Sequence, residues 1–160
     1  MEFSTPDLSD AFPEVKALLP IMKNYGGKPS FFGPIQTIKC PDDNSLIKEQ
    51  LNSEGNNQVL IVDAEGVNTV ALLGDLIAEA GMKNNWSGIV VNGYIRDVDI
   101  IKTLEIGVQA LGTYPIKSKK RGLGELGIEI CFGGLTFRPG QYIYADNNGL
   151  LLSEIQLNSS

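Results

Sequence analysis

The sequence predicts an α/β fold in a single domain covering residues 1–160. Three observations lead there. Helical and strand-like patterns alternate up to about residue 113, and strands dominate afterwards. Two short apolar runs bounded by turns, Val59–Val62 and Gly88–Val91, read as strands buried on both faces. The chain is long enough for one substantial core, with no linker and no internal repeat.

Taken in order, Thr5-Pro6-Asp7 reads as an N-cap followed by proline at the first helical position, opening a helix through Ala11. Pro13 to Leu19 adds a further turn before Pro20, and Asn24 to Pro29 is turn chemistry. Alternation over Gly33 to Cys40 suits a strand. Pro41 to Asn44 turns and caps a helix from Ser45 to about Asn52, with Leu46, Ile47 and Leu51 at helical spacing. The strand Val59–Val62 leads to Asp63–Gly66, at a strand C-terminus where ligand loops gather in α/β folds.

A helix from Gly74 to about Asn84 follows, with Leu76, Ile77, Ala80 and Met82 as its apolar stripe. After the strand Gly88–Val91, Asn92-Gly93 is a turn signal, and Asp97 to Leu104 suits a short helix with Asp97 as its cap or first-turn acid. Gly107–Thr113 is a strand and Pro115–Gly127 a polar, basic loop. Four strands close the chain, at Ile128–Phe132, Leu135–Phe137, Gln141–Ala145 and Leu150–Leu152, the last two joined by an Asn147-Asn148-Gly149 turn.

Composition removes several function classes. Net charge is −6, which disfavours direct nucleic-acid binding, and the one basic cluster, Lys117, Lys119, Lys120 and Arg121, reads as a solvated loop. No apolar run reaches ~18 residues, so the expectation is a soluble cytoplasmic protein without membrane contact. Cys40 and Cys131 read as reduced core thiols. There is no histidine, which eliminates Ser-His-Asp and Cys-His catalysis and every histidine-bearing zinc site. Acid–base chemistry falls to carboxylates, lysine, tyrosine or water.

The candidate chemistry lies between Gly74 and Asp97. Gly74, Asp75, Leu76 and Ile77 form a helix N-terminus, whose unpaired N–H groups suit a carboxylate or phosphate; an ordinary capping start explains them equally. Arg96 can grip a substrate carboxylate bidentately, and Asp97 can ligate Mg²⁺ or Mn²⁺; a surface arginine beside a helix cap is the plain alternative. Asp99 reads as solvated. Lys83 and Lys102 are candidates for a rival Schiff-base route, but both read as surface lysines.

Together, Asp75 and Arg96-Asp97 make D-x20-R-D around a helix–strand crossover. With that spacing, NYGGKPSFFGPIQTIKC, GDLIAEAG, GIVVNGYIRDVD and FGGLTFRPGQYIYADNNGLLLS, the chain resembles the class II 4-hydroxy-4-methyl-2-oxoglutarate aldolases and the regulator of ribonuclease E activity A proteins grouped with them. The resemblance implies a swivelling β/β/α domain that forms a homotrimer. It implies a lyase that cleaves 4-hydroxy-4-methyl-2-oxoglutarate and decarboxylates oxaloacetate, both through a pyruvate enolate stabilised by a divalent cation (Mg²⁺ or Mn²⁺). Gly74 to Ile77 and Arg96 would bind the small 2-oxo acid, Asp97 would hold the metal, and Asp75 would sit beside the metal's waters. The same resemblance carries another reading, an inhibitor that binds ribonuclease E. The regulatory branch lacks acids at the positions of Asp75 and Asp97, and this chain has both.

Overall fold

A computed structural model describes residues 1–158. Its elements run α1 (Thr5–Ala11), β1 (Lys16–Ala17), β2 (Lys23–Asn24), β3 (Phe31–Lys39), α2 (Ser45–Leu51), β4 (Val59–Asp63), α3 (Asp75–Lys83) and β5 (Gly88–Ile95). They continue with α4 (Val98–Ile101), β6 (Gly107–Thr113), β7 (Glu125–Leu126), β8 (Ile130–Phe132), β9 (Leu135–Phe137), β10 (Tyr142–Asp146) and β11 (Gly149–Ser153).

The main sheet has the order β1-β11-β10-β3-β4-β5-β6-β2, with β7 added to β3. Strands β3, β4, β5 and β6 pair in parallel, as crossovers through α2 and α3 require, and the remaining pairs are antiparallel. β1 and β2 stand at opposite ends of this order, yet only residues 18–22 separate them. Six peptide steps reach at most ~20 Å, so the sheet must curl until its two ends nearly meet.

The curl leaves two apolar faces, and the period of two assigns residues to them. Val59, Ile61 and Val90 point inward with Phe31, Ile35, Ile143 and Leu152, where the β8–β9 hairpin adds Ile130, Phe132, Leu135 and Phe137. Leu60, Val62, Ile89 and Val91 point outward, under Ile47 and Leu51 of α2, Ala78 of α3 and Ile101 of α4. β4 is buried along its whole length, as a strand covered on both sides must be. α1 covers Tyr144 and Leu151 on the far side, and Asp146 fixes it by accepting from Thr5 N–H at 2.8 Å and Thr5 Oγ at 2.7 Å.

Several expectations are corrected. The N-cap of α1 is Ser4, whose Oγ accepts from Asp7 N–H, because Thr5 turns instead toward Asp146. The turn expected over Pro13–Leu19 contains the short strand β1, drawn to the edge of β11. Asn92-Gly93 does not reverse the chain: β5 runs through it with a register shift between Val91 and Tyr94. Asn92 is buried and donates to Asp63 Oδ1 at 2.9 Å, and a Cβ on Gly93 would lie 2.8 Å from the Ala64 Cβ. Here Asn and Gly serve close packing rather than a turn. The buried side of α3 carries Ala78 and Gly81, while Leu76 is 75% exposed. Cys40 is buried but Cys131 is exposed on β8, beside Thr136; both are free thiols.

Candidate functional site

Gly74, Asp75, Leu76, Ile77, Arg96 and Asp97 meet in one open cleft of about 200 Å³. Three chain segments converge to build it. Residues 71–73 lie between the end of β5 and the loop after β6: Ala71 N–H donates to Ile116 O at 2.7 Å, Leu72 N–H to Tyr94 O at 2.9 Å, and Arg96 N–H to Leu73 O at 2.9 Å. This registers Gly74, the residue entering α3, against Arg96 and Asp97 as they leave β5.

Asp97 carries the most unusual backbone at the site. It caps α4 in the left-handed region, φ 60° and ψ 34°, where residues with a Cβ are disfavoured by roughly 1–2 kcal/mol. Its Oδ2 accepts from Asp75 N–H at 3.1 Å, linking the ends of the D-x20-R-D spacing. Gly74 makes the approach possible, since a Cβ there would lie 2.8 Å from that oxygen and 3.9 Å from Arg96 Nε. Arg96 Nη1 donates to Pro115 O at 3.2 Å, which fixes the guanidinium plane and leaves other donors for a ligand.

The first turn of α3 is therefore partly engaged. Asp75 N–H belongs to Asp97, and Ala78 N–H reaches Gly74 O at 3.1 Å. The amides of Leu76 and Ile77 lie between them, at positions where a helix has no internal acceptor to offer. Expecting all of Gly74–Ile77 to bind an anion through N–H groups thus overstates the donors by at least one.

The sequence reading missed the rest of the wall. Asn44, Lys48, Lys117, Ser118 and Lys120 also line the cleft. Lys48 stands in the last turn of α2, and Lys120 Nζ donates to Asn44 Oδ1 at 3.2 Å. Four cationic side chains thus face two carboxylates, so the cleft favours anions. The basic cluster is exposed, as its composition predicts, but two of its members, Lys117 and Lys120, also border the cleft. Asp99 and Lys102 form an exposed pair, as do Glu79 and Lys83, so neither lysine has a buried pocket. No group of three His, Cys, Asp or Glu side chains gathers among the described residues. No helix among them is long and apolar enough to cross a membrane.

Comparison with known proteins adds three findings. The model of the RraA-like family, described as Aldolase/RraA, matches residues 5–152. A protein of Pseudomonas paraeruginosa named "Putative 4-hydroxy-4-methyl-2-oxoglutarate aldolase" is 54% identical over 99% of this chain and 98% of its own. Two solved structures superpose with a TM-score of 0.95 at 38% identity, each over 99% of this chain. One, the RNA-processing inhibitor RraA from Thermus thermophilis, is covered over 97% of its length. The other, described as an S-adenosylmethionine: 2-dimethylmenaquinone methyltransferase from Geobacillus kaustophilus, is covered over 100%.

Proposed function

The chain belongs to the Aldolase/RraA family, and from that premise we propose that it is a lyase acting on short 2-oxo acids. The reactions are aldol cleavage of 4-hydroxy-4-methyl-2-oxoglutarate to pyruvate and decarboxylation of oxaloacetate. The observation that carries this reading is the cleft itself, where Gly74 brings a helix N-terminus against Asp97 and Arg96 inside a cationic wall. Its volume of about 200 Å³ suits a small acid better than an adenosyl cofactor.

The donor set also fits a hard divalent cation. Asp97, the cap of α4, and Asp75, the first residue of α3, both offer carboxylates at the cleft, and no dedicated cage surrounds them. Mg²⁺ and Mn²⁺ are held in this manner, by one or two carboxylates with water and substrate oxygens completing the shell. Bound there, the ion would supply Lewis acidity to the substrate's ketone oxygen. Arg96 holds the carboxylate next to that ketone and fixes the plane in which the C–C bond breaks. The Leu76 and Ile77 amides add donors to the same anion. Lys48, Lys117 and Lys120 attract the second carboxylate of a dicarboxylic substrate.

The protein acts in the cytoplasm as a homotrimer in this reading. The exposed apolar residues Leu76, on the cleft wall, and Ile116 favour an assembly in which a neighbouring copy covers them. Light scattering that gives a monomer would remove this part. The likeness to the RNA-processing inhibitor favours a second role, binding and inhibiting ribonuclease E.

The deciding experiment follows pyruvate release from oxaloacetate, with and without a chelator. Turnover that stops with chelator and returns with Mg²⁺ or Mn²⁺ supports the lyase. No turnover with either metal, together with ribonuclease E binding that survives Asp97→Ala, transfers the function to the regulator.

A further inference from the structure

Asp43 lies at the start of α2, buried to 1% exposure, and the reading above gives it no task. Its Oδ1 accepts from Ser45 N–H at 2.9 Å and from Ser45 Oγ at 2.6 Å. Its Oδ2 accepts from Arg121 N–H at 2.6 Å, across 78 positions of sequence. Ser45 Oγ in turn accepts from Gly122 N–H at 3.0 Å. The backbones interlock on the same line: Asn44 N–H donates to Lys119 O at 3.2 Å and Lys119 N–H to Asp42 O at 3.1 Å. Beside this knot, Asn44 Nδ2 donates to Leu72 O at 3.2 Å while its Oδ1 accepts from Lys120 Nζ at 3.2 Å.

Five of these bonds join residues 42–45 to the loop at Lys119–Gly122. That loop is otherwise polar and exposed, with glycines at 122, 124 and 127 in positive-φ conformations. Lys117 is held separately, where Ala71 N–H donates to Ile116 O at 2.7 Å, but beyond it a segment of that composition does not hold Lys120 in place by its own packing. We propose that Asp43 is a positioning residue: by clamping the Lys119–Gly122 backbone to the turn before α2, it holds Lys120 over the cleft and thereby sets the preference for dicarboxylic over monocarboxylic 2-oxo acids. The inference rests on the lyase reading.

Burial alone would raise the Asp43 pKa, but the hydrogen bonds from Ser45, Arg121 and Leu123 outweigh it and hold the carboxyl below its ordinary value. The ionised form, with two acceptor oxygens, is therefore the one that clamps. The side chain of Asp42 next to it makes only surface pairs, with Lys119 at 3.4 Å and Arg121 at 3.1 Å, which solvent screens.

The test compares wild type, Asp43→Asn and Asp42→Asn in three measurements. Asparagine at 43 keeps one acceptor but presents an N–H₂ where Oδ2 accepts from Arg121. The KM for oxaloacetate should rise about tenfold in Asp43→Asn, the scale of one lost charge-assisted hydrogen bond. Exchange of pyruvate methyl protons for deuterium, which needs no second carboxylate, should stay within about twofold. Backbone amides of residues 119–122 should exchange faster in Asp43→Asn than in wild type, while Asp42→Asn matches wild type throughout. A folded Asp43→Asn with unchanged oxaloacetate KM, or one in which both substrates suffer equally, overturns the proposal. Unaltered amide exchange with normal wild-type turnover overturns the clamp alone. If wild type turns over neither compound, the lyase reading is refuted and the positioning role falls with it.

Discussion

Replacing Gly74 by alanine tests the site's geometry without removing any reacting group. The residue sits at φ −124° and ψ −173°, an extended conformation open to any L-residue, so the backbone accepts alanine without strain. The new methyl would instead meet Asp97 Oδ2 at 2.8 Å. Ordinary contact needs about 3.4 Å, so the carboxylate or the helix start must move by roughly 0.6 Å. Catalytic groups tolerate about 0.5 Å of misplacement, and 1 Å can cost about a hundredfold. The expected loss in kcat is therefore about 10–100-fold, or ~1.4–2.7 kcal/mol of barrier.

Stability should barely change. Alanine restricts the unfolded chain, worth ~0.4–1 kcal/mol, and this offsets the ~0.5–1.5 kcal/mol weakening of the Asp75–Asp97 hydrogen bond. The melting temperature should shift by no more than about 4 °C. The assay is pyruvate release from oxaloacetate at saturating substrate and metal, with a thermal melt on the same preparation. Turnover within twofold of wild type would refute the argument, because the crowded contact would then have no bearing on the reaction. A loss matched by unfolding would refute it too.

Four further outcomes are expected. Arg96→Lys keeps the charge but loses the planar fork, and should raise the KM for oxaloacetate about tenfold in steady-state assays. Native protein should expose one thiol to a thiol-reactive dye, Cys131, and denatured protein two. The Cys40 thiol is pushed up to about 12 by burial first and then by Asp43, Asp63 and Asp42, which suppresses its thiolate. Burial alone would raise the Asp146 pKa, but hydrogen bonds from Thr5 and Asn148 lower it overall. Its stabilisation is thus full above pH ~4 and fades as acid titrates through the lower folded value; Thr5→Val should lose about 1–2 kcal/mol at pH 7 in urea melts and show a flatter acid limb. Gly88→Ala should destabilise by ~1–3 kcal/mol, because a Cβ there collides with the Phe31 ring.

What could be read from the chain in advance depended on the range of the interaction. Val59–Val62 and Gly88–Val91 announced themselves as buried strands because local hydrophobicity decides that outcome. Asn147-Asn148-Gly149 announced a hairpin because turn chemistry is equally local. Asn92-Gly93 carried the same local signal and failed: its environment is Asp63, the last residue of the neighbouring strand β4, and Ala64 just beyond it. Leu76 fits the apolar pattern of α3 yet faces solvent, since the outward-facing strands bury the face carrying Ala78 and Gly81 instead. At the cleft, Gly74, Asp75, Arg96 and Asp97 were legible through the family resemblance that their spacing and flanking segments carry, since each alone reads equally as a cap or a surface residue. Lys48, Lys117 and Lys120 were not, because they arrive from segments on either side of that spacing with no motif of their own. The left-handed backbone of Asp97 was equally invisible, as aspartate is a common cap residue that ordinarily caps in an extended conformation.

The meeting of the sheet's two ends has a consequence for how the protein is made. Lys16 pairs with Leu152, and Thr5 binds Asp146 across 141 positions, so these early segments must wait for partners synthesised much later. Until β10 and β11 emerge, the inward residues of β3, β4 and β5 face an unfinished seam, and such long-range closure is slow by its topology. Nascent chains stopped near residue 140 should therefore be protease-sensitive throughout their early strands, whereas chains carried past residue 153 should become resistant in a single step.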